Sequence, residues 1–287
     1  MSKRLWVPIL VLVAGGCAAE AVRVEEITEG LAHPESALYD AARDEWLVSS
    51  QGEMGVPGDG FVTRLGADGE VVTARLATGL DDPKGMGMVG HTLYVADVDH
   101  VAAIDLDDPS HITRIPVPEA VFLNDLAVDD ATGDVYVSDS FGNAIVRVRR
   151  GEAEVWLRDP ALETPNGLHV EGHTLWVVSI GPDPDPATFQ TSAPGRLLRV
   201  DLDERTVEPV GPRLGGLDGI ARDGDGWLIS DTFVGLYRVD DAGEAELLAP
   251  AEAFGLSGVA DFGFDPVRRR VAVPELFGTE VSFLAIP

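Results

Sequence analysis

The 287-residue sequence holds a single cysteine, Cys17, which has no partner for an internal disulfide. The fold must therefore stand on its hydrophobic core, and the chain is long enough to bury one as a single large β domain. Basic residues are scarce: 21 Lys and Arg face 49 Asp and Glu, a formal net charge of −28. Phosphate binding needs a basic surface, so nucleic acid is excluded as a partner. The acidity suits a soluble monomer with a cation site, although most of these carboxylates belong to solvated surface. Histidine is thin as well: none of the six pairs with another at a metal-binding interval, and no Ser occupies a G-x-S-x-G elbow. Zinc-protease and serine-hydrolase readings lose their support. Beyond the N-terminus no apolar run approaches the roughly 20 residues that span a bilayer, and no stretch carries a helical period of useful length.

The N-terminus is the exception. Lys3 and Arg4 precede an apolar run, Leu5 to Val13, then Ala14, Gly15, Gly16 and Cys17. A run this short is an export signal rather than a spanning helix. "AGGC" resembles a bacterial lipobox, in which the cysteine is lipidated and becomes the first mature residue. Residues 1–16 are thus expected to be a signal peptide, with Cys17 the lipidation site and 17–287 one domain. Loss of Lys3 and Arg4 leaves 19 basic against 49 acidic residues, or −30. The mature protein is expected to be a periplasmic or cell-surface lipoprotein that touches membrane only through its anchor. Ala18 and Ala19 after the cysteine favour the outer membrane in a Gram-negative host.

What the chain does have is repetition. Six apolar strands start alike: "HPESALYD", "DPKGMGMV", "FLNDLAVD", "TPNGLHVE", "GLDGIARD" and "VADFGFDP". Each carries one polar residue at its start: Glu35, Lys84, Asn124, Asn166, Asp218 and Asp261, separated by 49, 40, 42, 52 and 43 residues. A second, a third and a weaker fourth strand follow each start, marked by alternation and by Val, Ile, Leu, Tyr and Trp. The sixth unit ends after its third strand, while "AVRVEEI" at residues 21–27 is a strand without a unit. It can supply the missing fourth strand and close a ring, which protects sheet edges. The reading is all-β: a six-bladed β-propeller of four-stranded antiparallel blades, closed by the N-terminal strand.

First strands of propeller blades line the central channel, so the six polar residues should converge at one mouth. Gly167 would then allow close backbone approach at a crowded place. Carboxylate and amide oxygens are hard ligands that suit a single calcium, magnesium or manganese ion, with zinc, which favours nitrogen and sulfur, behind them. The alternative is that these groups pair with each other and with water to plug the tunnel.

The pattern resembles the gluconolactonase and regucalcin family of calcium-dependent six-bladed propellers. The resemblance rests on "HPESALYD", "LNDLAVDD", "TPNGLHV" and "GLDGIARDGDGWLISD" in that order at blade spacing, and on the closing "ADFGFDPVRRRVAVPELFGTEVSFLAI". It implies that Glu35, Asn166 and Asp218 hold the metal and that Asn124 touches metal or substrate. Members that hydrolyse sugar lactones often carry Arg two residues before the "ND" asparagine, where this chain has Phe122. Related paraoxonases carry His where this chain has Lys84.

The implied activity is metal-dependent hydrolysis of a lactone or related ester, a small-molecule substrate, with Asp218 as general base and Lys84 as the second candidate. Asp261 is a third, and is also expected, with Asn124, Asp139 and Asp231, to reach substrate. Asp97, Asp139 and Asp231 end second strands and return to the same mouth, where such residues either reach substrate or cap turns. The long loops 51–60 and 181–195 could roof the site, with Met54 and Phe189 as apolar contacts. The rival reading is a propeller that only binds a small molecule or protein at that mouth.

Overall fold

A computed structural model describes residues 21–287. The expected signal segment and Cys17 lie outside the described residues. Among the described residues twenty-four strands form six antiparallel four-stranded sheets, five of which run outward in chain order from an inner strand. The inner strands of the first five blades are Pro34–Asp40, Pro83–Val89, Leu123–Asp129, Pro165–Glu171 and Leu217–Asp223. That of the sixth is the short Gly263–Asp265. Among the described residues helix is confined to a single turn at Ala251–Phe254 and a 3₁₀ turn at Pro160–Leu162. Among the described residues no helix is long and apolar enough to cross a membrane.

The ring closes as the orphan strand predicts. Arg23–Glu29 pairs antiparallel with Glu280–Ala285 as the outermost strand of the sixth blade. A second tie closes the ring near the axis. The Asp261 amide donates to the Glu35 carbonyl at 3.1 Å, and the Ala37 amide donates to the Asp261 carbonyl at 3.2 Å.

The hydrophobic core is divided among the seams between blades. Leu47, Val62 and Leu80 of the first blade pack on Leu93, Val95 and Ile104 of the second, and every later seam repeats the arrangement. The closing seam places Trp46, wholly buried, edge-on to Phe283 at 5.4 Å and tilted against Tyr39 at 4.7 Å. Alternation within each strand sends one set of side chains to each neighbouring blade, which is why period-two patterning runs through the sequence.

Candidate functional site at the tunnel mouth

Each inner strand enters its blade through a break in register. Pro34, Pro83, Leu123, Pro165 and Leu217 pair with the last residue of the second strand, and regular pairing resumes only two or three residues later. The residues in the break are Glu35 alone in the first blade and, in the next four, Lys84, Asn124, Asn166 and Asp218, each followed by one more. Such irregularities re-aim side chains, and here they turn polar groups toward the axis. The amides they release are taken up by serines of the second strands. Ser49 accepts from Ser36 N at 3.0 Å, Ser138 from Asp125 N at 2.9 Å and Ser230 from Gly219 N at 2.7 Å.

Five of the six expected ring residues, Glu35, Lys84, Asn124, Asn166 and Asp218, are buried and line one cavity of about 460 Å³. Asp261 does not line it. In the sixth blade Val259 takes the place of Pro34, through its bridge to Glu275, so Ala260 occupies the ring position and Asp261 sits one residue deeper. The backbone bonds between Asp261 and the first blade's inner strand fix that offset. There Ser36 Oγ donates to Asp261 Oδ2 at 2.6 Å.

The deeper level contains a carboxylate that the sequence reading passed over. Asp125, directly after Asn124, is buried and accepts from Leu168 N at 2.7 Å. The remaining blades have small residues at this level, and three are glycines. A Cβ on Gly85 would lie 2.0 Å from Asp125 Oδ1, one on Gly219 2.4 Å from Asp261 Oδ1, and one on Gly167 2.1 Å from the Asp218 carbonyl oxygen. The Gly of "PNG" therefore gives up its side chain to the backbone of the next blade.

Four carboxyls thus crowd the axis with one ammonium. Burial pushes all four up: Glu35 and Asp125 well above the usual carboxylate range, Asp218 to about 6 and Asp261 to about 7. Repulsion between them adds to burial, and Lys84 opposes it at Glu35 and Asp218. Lys84 Nζ lies 3.5 Å from Asp82 Oδ1 and 5.1 Å from the centre of the Phe122 ring. Its nearest counter-ion is Asp82.

Asp218 is held at both oxygens. Asn166 Nδ2 donates to Oδ1 at 3.0 Å, and Thr232 Oγ1 donates to Oδ2 at 3.3 Å. Asn166 Nδ2 also donates to the Leu217 carbonyl at 3.1 Å, which leaves its Oδ1 buried and without a donor. Glu35 Oε2 and Gln51 Oε1 are likewise buried without a donor. Three orphaned oxygens in one acidic cavity form a hard donor set that fits calcium, magnesium or manganese. Gln51 and Thr232 share a signal: each directly follows the end of a second strand, as Ser140 does when it accepts from Asn124 Nδ2 at 3.2 Å.

Asp139 and Asp231, expected to reach substrate, do not line the cavity. Asp139 accepts from Val121 N at 3.1 Å and Phe122 N at 2.7 Å, and Asp231 accepts from Phe233 N and Val234 N at 3.0 Å each. Both are buried clamps on mouth loops. Asp97 does the same for Asp81 N and Asp82 N, at 3.0 and 2.7 Å. Ligand atoms of Asp81, Asp97 and His100 also lie within 4.8 Å of one another. The Asp97 oxygens are already taken up by the loop amides and by His100 Nε2 at 3.2 Å, so this group reads as a loop brace.

No family model matches the sequence, and no curated protein matches it. Solved structures do resemble it. A gluconolactonase from Xanthomonas campestris aligns at TM-score 0.66 and 16% identity, covering 96% of this chain and 99% of that one. The nidogen/laminin complex contributes a chain at TM-score 0.61 and 16% identity, covering 77% and 81%. Virginiamycin B lyase from Staphylococcus aureus aligns at TM-score 0.58 and 11% identity, covering 91% and 99%. At these identities the likeness concerns the fold alone, a β-propeller, and the six blades are read from this chain's own six sheets.

Proposed function

We propose that the protein is a divalent-metal-dependent hydrolase of lactones or related carboxylic esters, acting at the tunnel mouth. The observation that carries this reading is the set of buried, donor-less oxygens of Glu35, Asn166 and Gln51 beside Asp218. An axis plugged by these side chains alone would pair those oxygens internally, since an unpaired buried acceptor costs about 1–3 kcal/mol. Glu35, Asn166 and Asp218 would hold the ion, with Gln51 and Asn124 at its edge. Calcium is the first choice, and a bound divalent ion supplies Lewis-acid polarisation of the ester carbonyl.

The chain's own groups do the rest. Lys84 brings a fixed positive charge beside the floor, where it stabilises charge developing on the carbonyl oxygen. Asp218 Oδ2 takes a proton from the attacking water. Burial pushes this carboxyl up to about 6 in the metal-free protein, so it is ionised at neutral pH and able to accept that proton. The new bond joins the water oxygen to the acyl carbon. The acyl–oxygen bond of the ring breaks, and the proton returns to the departing alkoxide. Asn166 and Thr232 orient Asp218 throughout.

The test is a pH-stat assay on aliphatic, aryl and sugar lactones with calcium, then with EDTA. Acid release that EDTA abolishes and calcium restores supports the hydrolase. No release on any lactone removes it and leaves a propeller that binds a small molecule.

A further inference from the structure

The cavity has a polar floor, but its wall is carbon. Phe122, Ile180, Phe189, Phe233, Leu276 and Phe277 stand above the axial carboxylates. They form two aromatic groups. Phe122 packs at 5.0 Å on Phe141 and at 5.9 Å on Phe189, while Phe141 and Phe189 meet at 5.3 Å. Phe233 and Phe277, from neighbouring blades, stack at 6.1 Å with planes 19° apart. Three of these rings face water: Phe189 is 44% exposed, Phe233 76% and Phe277 53%.

Seam packing does not account for those three rings. They sit in loops between second and third strands, outside the seam clusters, and they lie on the mouth side of the disc. Exposed Met54 lies there with them and lines the same cavity. Apolar side chains gathered at one cavity rim mark a place that expects an apolar ligand. A sugar lactone would exchange water for carbon at most of its hydroxyls there, and each unpaired hydroxyl costs binding energy. A bare lactone ring would fill only a small part of the roughly 460 Å³.

We propose that the substrate is a lactone or ester bearing an apolar substituent, alkyl or aryl, that reaches from the floor to this wall. The proposal rests on the hydrolase reading for its chemistry, but the wall binds the substituent whether or not the ester is cleaved. Phe122 has a double part, since it meets Lys84 on one side and the Phe141–Phe189 group on the other.

The experiment compares δ-valerolactone, δ-decalactone, a phenyl-substituted δ-lactone and glucono-δ-lactone on the purified protein with calcium. The expected kcat/KM rises about two- to fourfold per added methylene. The phenyl arm tells alkyl from aryl preference, and the gluconolactone is the poorest substrate. Phe189→Ala and Phe233→Ala should each lower the decalactone-to-valerolactone ratio about fivefold or more. Val267→Ala, exposed in a turn at the opposite end of the sixth blade, should leave that ratio unchanged. A flat series, or gluconolactone as the best substrate, overturns the proposal and leaves hydrolysis standing. If nothing is hydrolysed, the hydrolase reading fails and the matching lactams decide by binding. Tighter binding of the alkyl or aryl lactam than of δ-valerolactam supports the apolar wall, and equal or absent binding overturns it.

Discussion

The seams between blades and the axis they surround are buried to a similar degree and built on opposite principles. Seam residues such as Leu47, Leu93 and Ile104 are wholly buried in clusters of other apolar side chains. Glu35, Asp125 and Asp218 are buried too, yet they and half-buried Asp261 are carboxyls with raised pKa values, and Glu35 Oε2 lacks a donor. The seams therefore hold the ring together, and the axis stores an electrostatic cost that the ring tolerates. Raised pKa values and unpaired buried acceptors gather where function is built.

The comparison can be broken most severely at the closing seam. Trp46→Ala should cost about 3–5 kcal/mol of stability, read as a large drop in the denaturant midpoint. The surviving folded fraction should keep its activity per molecule.

The reverse holds at the axis. Asp218→Asn should lower kcat/KM on the best lactone by about 10²–10³-fold, a loss of about 3–4 kcal/mol of transition-state stabilisation. Its melting temperature should stay level or rise, because a buried charge has been removed while the amide can still accept from Asn166.

Asp261→Asn sharpens the electrostatic side. Its carboxyl titrates near 7 in the folded protein against an ordinary value of 3.8. A raised acid pKa means that its stabilising contribution is present below the unfolded value and is lost as pH rises through the folded one. Chelator-treated wild-type protein should therefore lose stability between pH 4 and pH 7. The variant should lose less, by up to about 2–3 kcal/mol across that window, as followed by thermal melts at several pH values.

The smallest effect belongs to neither region. Arg268 pairs with exposed Asp44 at 2.7 Å and with buried Asp265 at 2.8 Å, and Asp44→Ala, which breaks only the exposed pair, should leave the denaturant midpoint nearly unchanged at moderate salt.

The seams were legible in the sequence because strand alternation is a local property. Six similar starts and one orphan N-terminal strand were enough to number the blades and close the ring. The polar ring was legible at five positions for the same reason. Asp261 was displaced by one residue because its register is set by bonds to the first blade's inner strand, a contact across the closure that spacing does not encode. Asp125 was hidden behind Asn124, since the register break sends both residues of "ND" toward the axis. Asp139 and Asp231 looked like site residues and turned out to hold loop amides. A carboxylate at a strand end reads the same in sequence whether it faces a substrate or a backbone. Met54 and Phe189 were visible as apolar residues in long loops. Phe233 and Phe277 become a pair only when their two blades meet.

The central claim is that the axial oxygens hold a cation. Calorimetric titration of calcium into chelator-treated protein tests it without reference to any substrate. The account predicts one site per chain, abolished in Glu35→Gln and Asp218→Asn and retained in Asp139→Asn, provided each variant keeps its fold by circular dichroism. No calcium, magnesium or manganese binding by the wild-type protein, or binding that survives both axial substitutions, would contradict it.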